Sequence, residues 1–537
     1  MKRRSFLAGA ALPFGGLLVG CERLEEIQGG FTGLSHERGH LLRERKAWPA
    51  PSKVHKTRVI IAGGGVAALA TARALRLKGI DDFTLLELET EAGGNSRGGA
   101  VNGIPCPLGA HYLPVPGDAA VDVQNLLEEL DLRKRVAGRW IYDERHLCHS
   151  PQERLFFNGE WQEGLLPLHG VGRDTLTQYQ QFAALVTRAR QSASWSIPAS
   201  HMSPSPFMES LAAITFASYL AQNGLTDPHL RWYLNYCCHD DYGAGISTVS
   251  AWAGLHYFAS RHGFSAPRLE GADTMEHADR EGVLTWPEGN GWLTRQLALP
   301  LKERLQTGRV VVRIAATKHG IEIDAFNVAT QTIERWQAER CIVALPVFVA
   351  ARVIENPPEF LRQAAASTRY APWLVANIHI KSPLEDRPGA PPSWDNVIHD
   401  AATPGAHGAS LGYVDAMHQS LQSVPGATVL THYRALGDVP QGRKLLMDKP
   451  WTEWRDVILA DIARAHPDIA AKATRIDITR YGHAMAVPLP GGNLNSRLTA
   501  AGRLSFAHSD WAGYSVFEEA FTLGHTAGLS AASTASG

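Results

Sequence analysis

The apolar positions of this chain form short unbroken runs near its two ends and helical spacing in between. The clearest run is Val59-Ile60-Ile61-Ala62. Four consecutive apolar residues predict a strand covered on both faces, as in a parallel sheet. Gly63, Gly64 and Gly65 follow, and helical spacing begins at Val66 with no turn residues between. Asp82 to Glu89 then reads as a second strand ending in Glu87. From about 119 to 280 the pattern is mostly helical, as in Val121–Leu132 and the aromatic-rich block Tyr219–Arg261. Strand patterns return at Gly308–Ile314, Ile321–Phe326 and Cys341–Pro346, and Arg503–Gly528 reads as strand, loop and helix. This order of strand and helix patterns predicts an α/β fold.

Strand, glycine turn and helix carry chemistry here. Gly63 allows the tight turn, and Gly65 lets a pyrophosphate approach the helix N-terminus. Ala67 and Ala68 occupy the first helical turn, with Ala68 standing where the fingerprint ordinarily has its third, small glycine. Glu87 follows 24 residues after Gly63, where a carboxylate meets the adenosine ribose hydroxyls. A dinucleotide site is the reading.

The next residues bear on which dinucleotide. Glu89–Gly98 contains Gly93-Gly94 followed by Arg97, and this resembles the second motif of the flavin-containing amine oxidase superfamily. The resemblance implies a Rossmann-like FAD-binding domain with an interleaved α+β substrate domain, and FAD with Gly93, Gly94 and Arg97 beside its pyrophosphate. Gly109-Ala110-His111 resembles the family segment that runs beneath the isoalloxazine ring. Leu284–Leu293 resembles the Pro-x-Gly-x-Gly segment before a helix that returns to the flavin domain. Val311, within Gly308–Ile314, is assigned to the cofactor on the same resemblance, as are Phe517 and Glu518 at the start of the last helix.

The chain also departs from the family pattern. Phe506-Ala507-His508-Ser509-Asp510 stands where the family has Phe-Ala-Gly-Glu, so either Ser509 or Asp510 takes the ribityl contact. Trp511-Ala512-Gly513-Tyr514 is similar to the Trp-Ser-Gly-Tyr of monoamine oxidases, which makes Tyr514 a wall of an aromatic cage. His483 matches the cysteine that carries covalent flavin in those enzymes, and Ala484 the second cage tyrosine; this excludes a thioether link, and FAD is expected to be non-covalent, with a histidyl link through His483 as the alternative. Arg352 falls near the family's lysine, and because it cannot deprotonate its role is electrostatic. Tyr514, Arg352 and His483 are the residues expected around the reacting centre.

The middle block supplies a polar cluster. His239, Asp240, Asp241 and Tyr242 sit among Trp232, Tyr233, Tyr236, Trp252 and Tyr257. Carboxylates among aromatic faces suit a cationic amine or polyamine. A packing unit in which an aspartate caps the next helix uses the same residues. His239, Asp240, Asp241, Tyr242 and Trp252 are the substrate-binding candidates. The resemblance implies amine oxidation by hydride transfer to flavin, with dioxygen or a membrane electron acceptor reoxidising it. Two alternatives stand: a desaturase-type enzyme acting on an apolar substrate, and a lipoprotein whose FAD is structural.

Composition narrows the remaining classes. With 52 basic and 53 acidic residues there is no electrostatic case for nucleic acid. The cysteines show no metal spacing, and no metal is expected. At the N-terminus, Lys2-Arg3-Arg4-Ser5-Phe6-Leu7 resembles a twin-arginine export signal, followed by an apolar run from Ala8 to Gly20. As a helix that run spans about 20 Å, short of a bilayer's hydrocarbon core. It ends in Leu18-Val19-Gly20-Cys21, which resembles a lipobox with Cys21 lipidated. These features imply the twin-arginine translocase as a partner and a periplasmic or cell-surface location on a lipid anchor. The expected division is signal 1–21, linker 22–56, FAD-binding segments 57–118, 280–351 and 476–535, and substrate segments 119–279 and 352–475.

Overall fold

The computed structural model describes residues 26–44, 47–267, 282–399, 405, 407–420, 424–492 and 499–533. Cys21 and the residues read as an export signal lie outside the described residues. Two large sheets organise the chain. In the first, Lys53–Ala62 lies parallel to Phe83–Leu86 on one side and to Thr332–Val343, from Glu334 to its end, on the other. Leu305–Gln306 and Leu504–Phe506 extend the parallel arrangement outward. Ile60, Ile61, Ala62, Leu85 and Leu86 are buried, as an apolar run covered on both faces requires. The strands Arg309–Ala316 and Ile321–Asn327 form an antiparallel meander with the first half of Thr332–Val343.

Helix Val66–Leu77 packs against the C-terminal helix Phe517–Ser533, and small residues let the two backbones touch. A Cβ on Gly524 would lie 2.0 Å from the Ala67 carbonyl oxygen, and Thr71 Oγ1 donates to Gly524 O at 2.8 Å. Ala68 is fully buried at this crossing, so its small side chain serves packing.

The second sheet has eight strands. Ala473–Ala486 pairs antiparallel with Tyr370–Ile380, followed outward by Thr428–Ala435, Ala409–Asp415 and Asp395–Ile398. This places the long strand around residue 476 inside the second sheet rather than at the return to the flavin domain. A helical layer covers the sheet. Its helix Pro228–Tyr242 begins where Asp227 Oδ1 accepts from His229 N and Leu230 N, both at 2.9 Å, with Pro228 at the first position. It ends at Gly243, whose φ of 71° is the left-handed cap that stops a helix.

Two expectations change. The supposed linker is folded from Gln28: Gln28–Thr32 adds a parallel edge strand to Ala473–Ala486, and His36–Glu44 is a helix. The 119–280 region contains two hairpins, Arg133–Val136 with Arg139–Tyr142 and Glu153–Phe157 with Glu160–Glu163. Their turns place Ala137, Gly138, Asn158 and Gly159 at positive φ, the mirror-image turn geometry that suits twisted strands.

Candidate active site

The glycine turn leaves room where a dinucleotide phosphate needs it. Gly63 has φ 104°, and a Cβ there would meet the Ala344 carbonyl oxygen at 2.3 Å. A Cβ on Gly64 would fall 2.3 Å from Glu87 Oε2, so this middle glycine lets the carboxylate approach the turn. A Cβ added at Gly65 would meet, among the described residues, no atom nearer than the Gly94 Cα at 3.9 Å. Helix Val66–Leu77 starts at Gly65 with no side chain capping its first N–H groups, which leaves them to an anion. Gly93 N donates to Gly64 O at 2.8 Å, joining the two glycine motifs. Burial pushes the Glu87 carboxyl up to about 7, against the pull of the Glu89 N–H and Arg97.

Arg97 is nearly buried. Its Nη2 donates to Gly33 O at 2.9 Å, while its Nε has no hydrogen-bond partner among the described residues. The N-terminal segment continues along this edge: Ser35 N donates to Glu89 Oε1 at 2.9 Å, and Arg38 Nη1 to Leu88 O at 3.0 Å. Open space at Gly65, uncapped N–H groups, a placed carboxylate and an unpartnered guanidinium nitrogen together fit an FAD pyrophosphate and ribose.

From this cradle the segment Pro107–Tyr112 runs inward with its carbonyls pinned from both domains. Asn377 Nδ2 holds Pro107 O at 2.9 Å, Tyr481 holds Leu108 O at 2.7 Å, and Tyr433 holds Gly109 O at 3.0 Å. Asn290 holds Ala110 O through its backbone N–H and Tyr112 O through Nδ2. A side chain at Gly109 would collide with Asn95 O at 2.1 Å, and Ala110 N donates to that same oxygen. Ala110 itself is exposed although the residues on either side are not. Burial drops the His111 ring to about 3, so it is neutral.

Tyr112 leads from the cradle to an acidic cavity. Its hydroxyl donates to Asp240 Oδ2 at 3.4 Å. Asp240 and Asp395 lie deep between the helical layer and the second sheet, yet each keeps partial accessibility, as do the nearby Glu153, Tyr233 and Tyr257. Groups that are deep and still partly accessible face an internal space. Burial and the neighbouring Asp241 charge push Asp240 up to about 7, with Arg261 and the Tyr112 hydroxyl opposing. Burial, then the charges of Asp240 and Glu153, push Asp395 well above the carboxylate range. Trp394, T-shaped to Tyr112 at 5.9 Å, and Tyr433, stacked on His111 at 4.5 Å, add aromatic faces at this end.

The family of flavin-containing amine oxidoreductases matches residues 66–527. The chain belongs to this family. As an FAD-dependent amine oxidoreductase it is similar in fold to a putrescine oxidase solved with putrescine bound, at TM-score 0.65 and 16% identity over 89% of this chain and 99% of that one. Cyclohexylamine oxidase from Brevibacterium oxydans gives TM-score 0.62 at 17% identity, covering 90% of this chain and all of the other. A fatty acid isomerase from P. acnes gives 0.60 at 16% identity, covering 88% and 97%. A search of curated protein sequences finds no match.

The remaining expected site residues of this amine oxidoreductase are spread apart. Tyr514 is fully buried behind the helical layer, where its hydroxyl donates to Glu519 Oε1 at 2.5 Å and its ring meets His256 at 5.3 Å. That burial takes it out of an open cage wall. Arg352 is exposed, with Nε donating to Leu42 O at 2.8 Å, so it secures the N-terminal helix His36–Glu44. His483 is also solvent-accessible, stacked on Phe348 at 4.4 Å beside Arg443; partial desolvation of its ring and then the Arg443 charge lower it to about 4.

On helix Pro228–Tyr242 successive residues turn by about 100°, so the expected substrate cluster cannot act as one face. His239 Nε2 lies 2.9 Å from Asp438 Oδ2, and Tyr242 donates to Ala253 O at 2.9 Å. Trp252 is buried and stacked on His256 at 4.7 Å. These three hold the helices together. Asp241 pairs with Arg261 at 2.9 Å, leaving Asp240 as the aspartate of this group that meets the cavity.

Of the two ribityl candidates, Asp510 has its oxygens engaged. Its Oδ2 accepts from Val347 N at 3.0 Å and from the Tyr370 hydroxyl at 2.5 Å, and Oδ1 lies 3.2 Å from His508 Nδ1. Burial alone would raise it, but the His508 charge and these hydrogen bonds outweigh burial and hold it below the ordinary range. Ser509 Oγ, by contrast, meets Ser515 Oγ at a distant 3.5 Å. Val311 sits at a bulge in its strand, next to Arg309, whose N–H donates to Glu87 O at 2.8 Å. Phe517 and Glu518 are buried at the start of the last helix.

Sequence reasoning missed Asp395 and Glu153, which face Asp240 from strands. The available signal was an acid at the start of Asp395–Ile398, a short strand whose last two residues are apolar. It also missed Asn377, the lone amide in the otherwise apolar run Ala371–Ile378.

Proposed function

We propose that the enzyme oxidises an amine or polyamine whose ammonium group is received by Asp240 and Asp395. The observation that carries this reading is the path from cradle to cavity: Tyr112, on the segment fixed to the dinucleotide loop, donates to Asp240. Carboxylates held out of bulk water are destabilised when ionised, and a cation offsets that penalty. The aromatic rings around them accept the substrate's apolar carbons and add cation–π attraction.

FAD, when bound, supplies an acceptor for a hydride equivalent from the carbon beside the amine. Asp240, with its proton affinity raised to about 7, accepts one ammonium proton and leaves the nitrogen lone pair free. The pinned carbonyls of Pro107–Tyr112 fix the wall between cofactor and substrate, and the neutral His111 adds no competing charge. Imine product then leaves and hydrolyses to the aldehyde. An apolar or fatty-acid substrate fits less well, because buried carboxylates repel a carboxylate and gain nothing from hydrocarbon. Cys21 and the twin-arginine signal support a periplasmic or surface enzyme on a lipid anchor, with dioxygen or a membrane acceptor taking the electrons.

Anaerobic visible spectroscopy during titration with primary amines, diamines and polyamines tests this. Bleaching of the oxidised flavin band is expected. A flavin that dithionite reduces but no amine bleaches would sink the amine reading.

A further inference from the structure

The hairpin Arg133–Tyr142 carries a surface that oxidation does not use. Its strands pair as Arg133 with Tyr142, Lys134 with Ile141, Arg135 with Trp140 and Val136 with Arg139. Two-stranded ribbons without a covering layer gain little stability of their own, and here the stem does the anchoring. Leu132 is buried, Tyr142 packs on the flavin-domain core, and Arg133 lies 3.5 Å from Glu128. Everything from Lys134 to Ile141 is exposed.

The exposed part is apolar on both faces. One face presents Trp140 at 44% exposure, with Arg133 stacked over it at 3.8 Å. The other presents Val136 at 45% and Ile141 at 40%, flanked by Lys134 and Arg139. Arg135 completes three exposed cations, and no acid occurs between Leu132 and Tyr142. A protein partner would cover one face of such a ribbon. Apolar groups on both faces, ringed by cations and carrying a tryptophan, match the boundary between lipid headgroups and acyl chains.

We infer that this hairpin docks the enzyme on an anionic bilayer surface: Val136, Trp140 and Ile141 enter the interface while Lys134, Arg135 and Arg139 meet lipid phosphates. The inference does not depend on lipidation of Cys21 or on the identity of the substrate. No helix among the described residues is long and apolar enough to cross a membrane, so this contact would be peripheral.

The test uses the full FAD-loaded chain carrying Ala137→Cys, labelled at the hairpin tip with an environment-sensitive fluorophore. The chain without that substitution, treated identically, supplies the background from native cysteines. Vesicles of phosphatidylcholine containing about a third phosphatidylglycerol should blue-shift the tip label, while pure phosphatidylcholine should not, and high salt should reverse the shift. Arg135→Glu/Arg139→Glu should weaken vesicle affinity at least about tenfold with flavin content and melting temperature unchanged. An unshifted label on anionic vesicles would overturn the inference, even if the chain floats with them through its N-terminal apolar run. A shift that appears without vesicles and grows with protein concentration would also overturn it, in favour of self-association.

Discussion

Asp240→Asn should make the enzyme more stable and a worse binder of amines. The structure raises the Asp240 carboxyl to about 7 by burial and by the Asp241 charge. At about 1.4 kcal/mol per unit above the usual carboxylate value near 4, holding it ionised costs roughly 4 kcal/mol, an upper bound given water in the cavity. A carboxyl raised in the fold binds its proton more tightly than the same group in the unfolded chain. Its favourable contribution is therefore complete below about pH 4 and is lost as pH climbs toward 7. Asparagine removes this loss and can still accept the Tyr112 hydroxyl. The variant should accordingly melt above wild type at pH 8, with the gap closing toward pH 5. For substrate the sign reverses: removing the buried anion facing an ammonium should raise KM by at least about tenfold. The assays are thermal melts across pH on substrate-free enzyme and steady-state kinetics with a primary amine. A variant that melts lower at pH 8 and keeps wild-type KM would refute the assignment of Asp240 to the cavity.

Other substitutions probe the remaining claims. Gly524→Ala forces a Cβ to 2.0 Å from the Ala67 backbone oxygen, which no rotamer can relieve; a loss of about 3 kcal/mol and reduced flavin content should follow. Gly39→Ala, with nothing within 4 Å and a helical position, should instead gain up to about 1 kcal/mol in the same melts. Tyr514→Phe should cost about 1 kcal/mol through the lost Glu519 hydrogen bond yet leave amine kcat near wild type; a large fall in kcat would restore Tyr514 to the reacting centre. Asp510→Asn removes an anion held below the ordinary range. It should destabilise by about 2 kcal/mol at pH 7, with the difference fading as pH falls through the native carboxyl's depressed range.

Cofactor and substrate machinery differ in how far sequence reveals them, and the reason is physical. A phosphate cradle is local: the backbone of Gly63–Gly65 must turn and then start a helix within a few residues, so strand, glycines, helix and Glu87 are all legible in one short stretch. Even there Gly64 was overlooked, because its need for a bare Cα arises only when Glu87 folds back to 2.3 Å from where a Cβ would stand. Hairpins are local as well. Asn158-Gly159 between Phe157 and Glu160 carried the strongest short-range turn signal in its region, and a helical reading of the larger block passed over it.

The substrate cavity is not local. Asp240 comes from a helix, Glu153 and Asp395 from neighbouring strands 242 residues apart in the chain, and Tyr112 from the flavin segment. No spacing rule brings these together; parallel pairing of Asp395 with Glu153 does, by setting two carboxylates side by side on one ladder. The cluster His239–Tyr242 misled for the opposite reason. It is contiguous in sequence, but a helix turns contiguous residues onto different faces, and only Asp240 meets the open space. A polar cluster read along a helix therefore gives the neighbourhood of a site, while the side chain that faces it is chosen by what the other faces must pack against: Asp438 for His239, Arg261 for Asp241 and Ala253 for Tyr242.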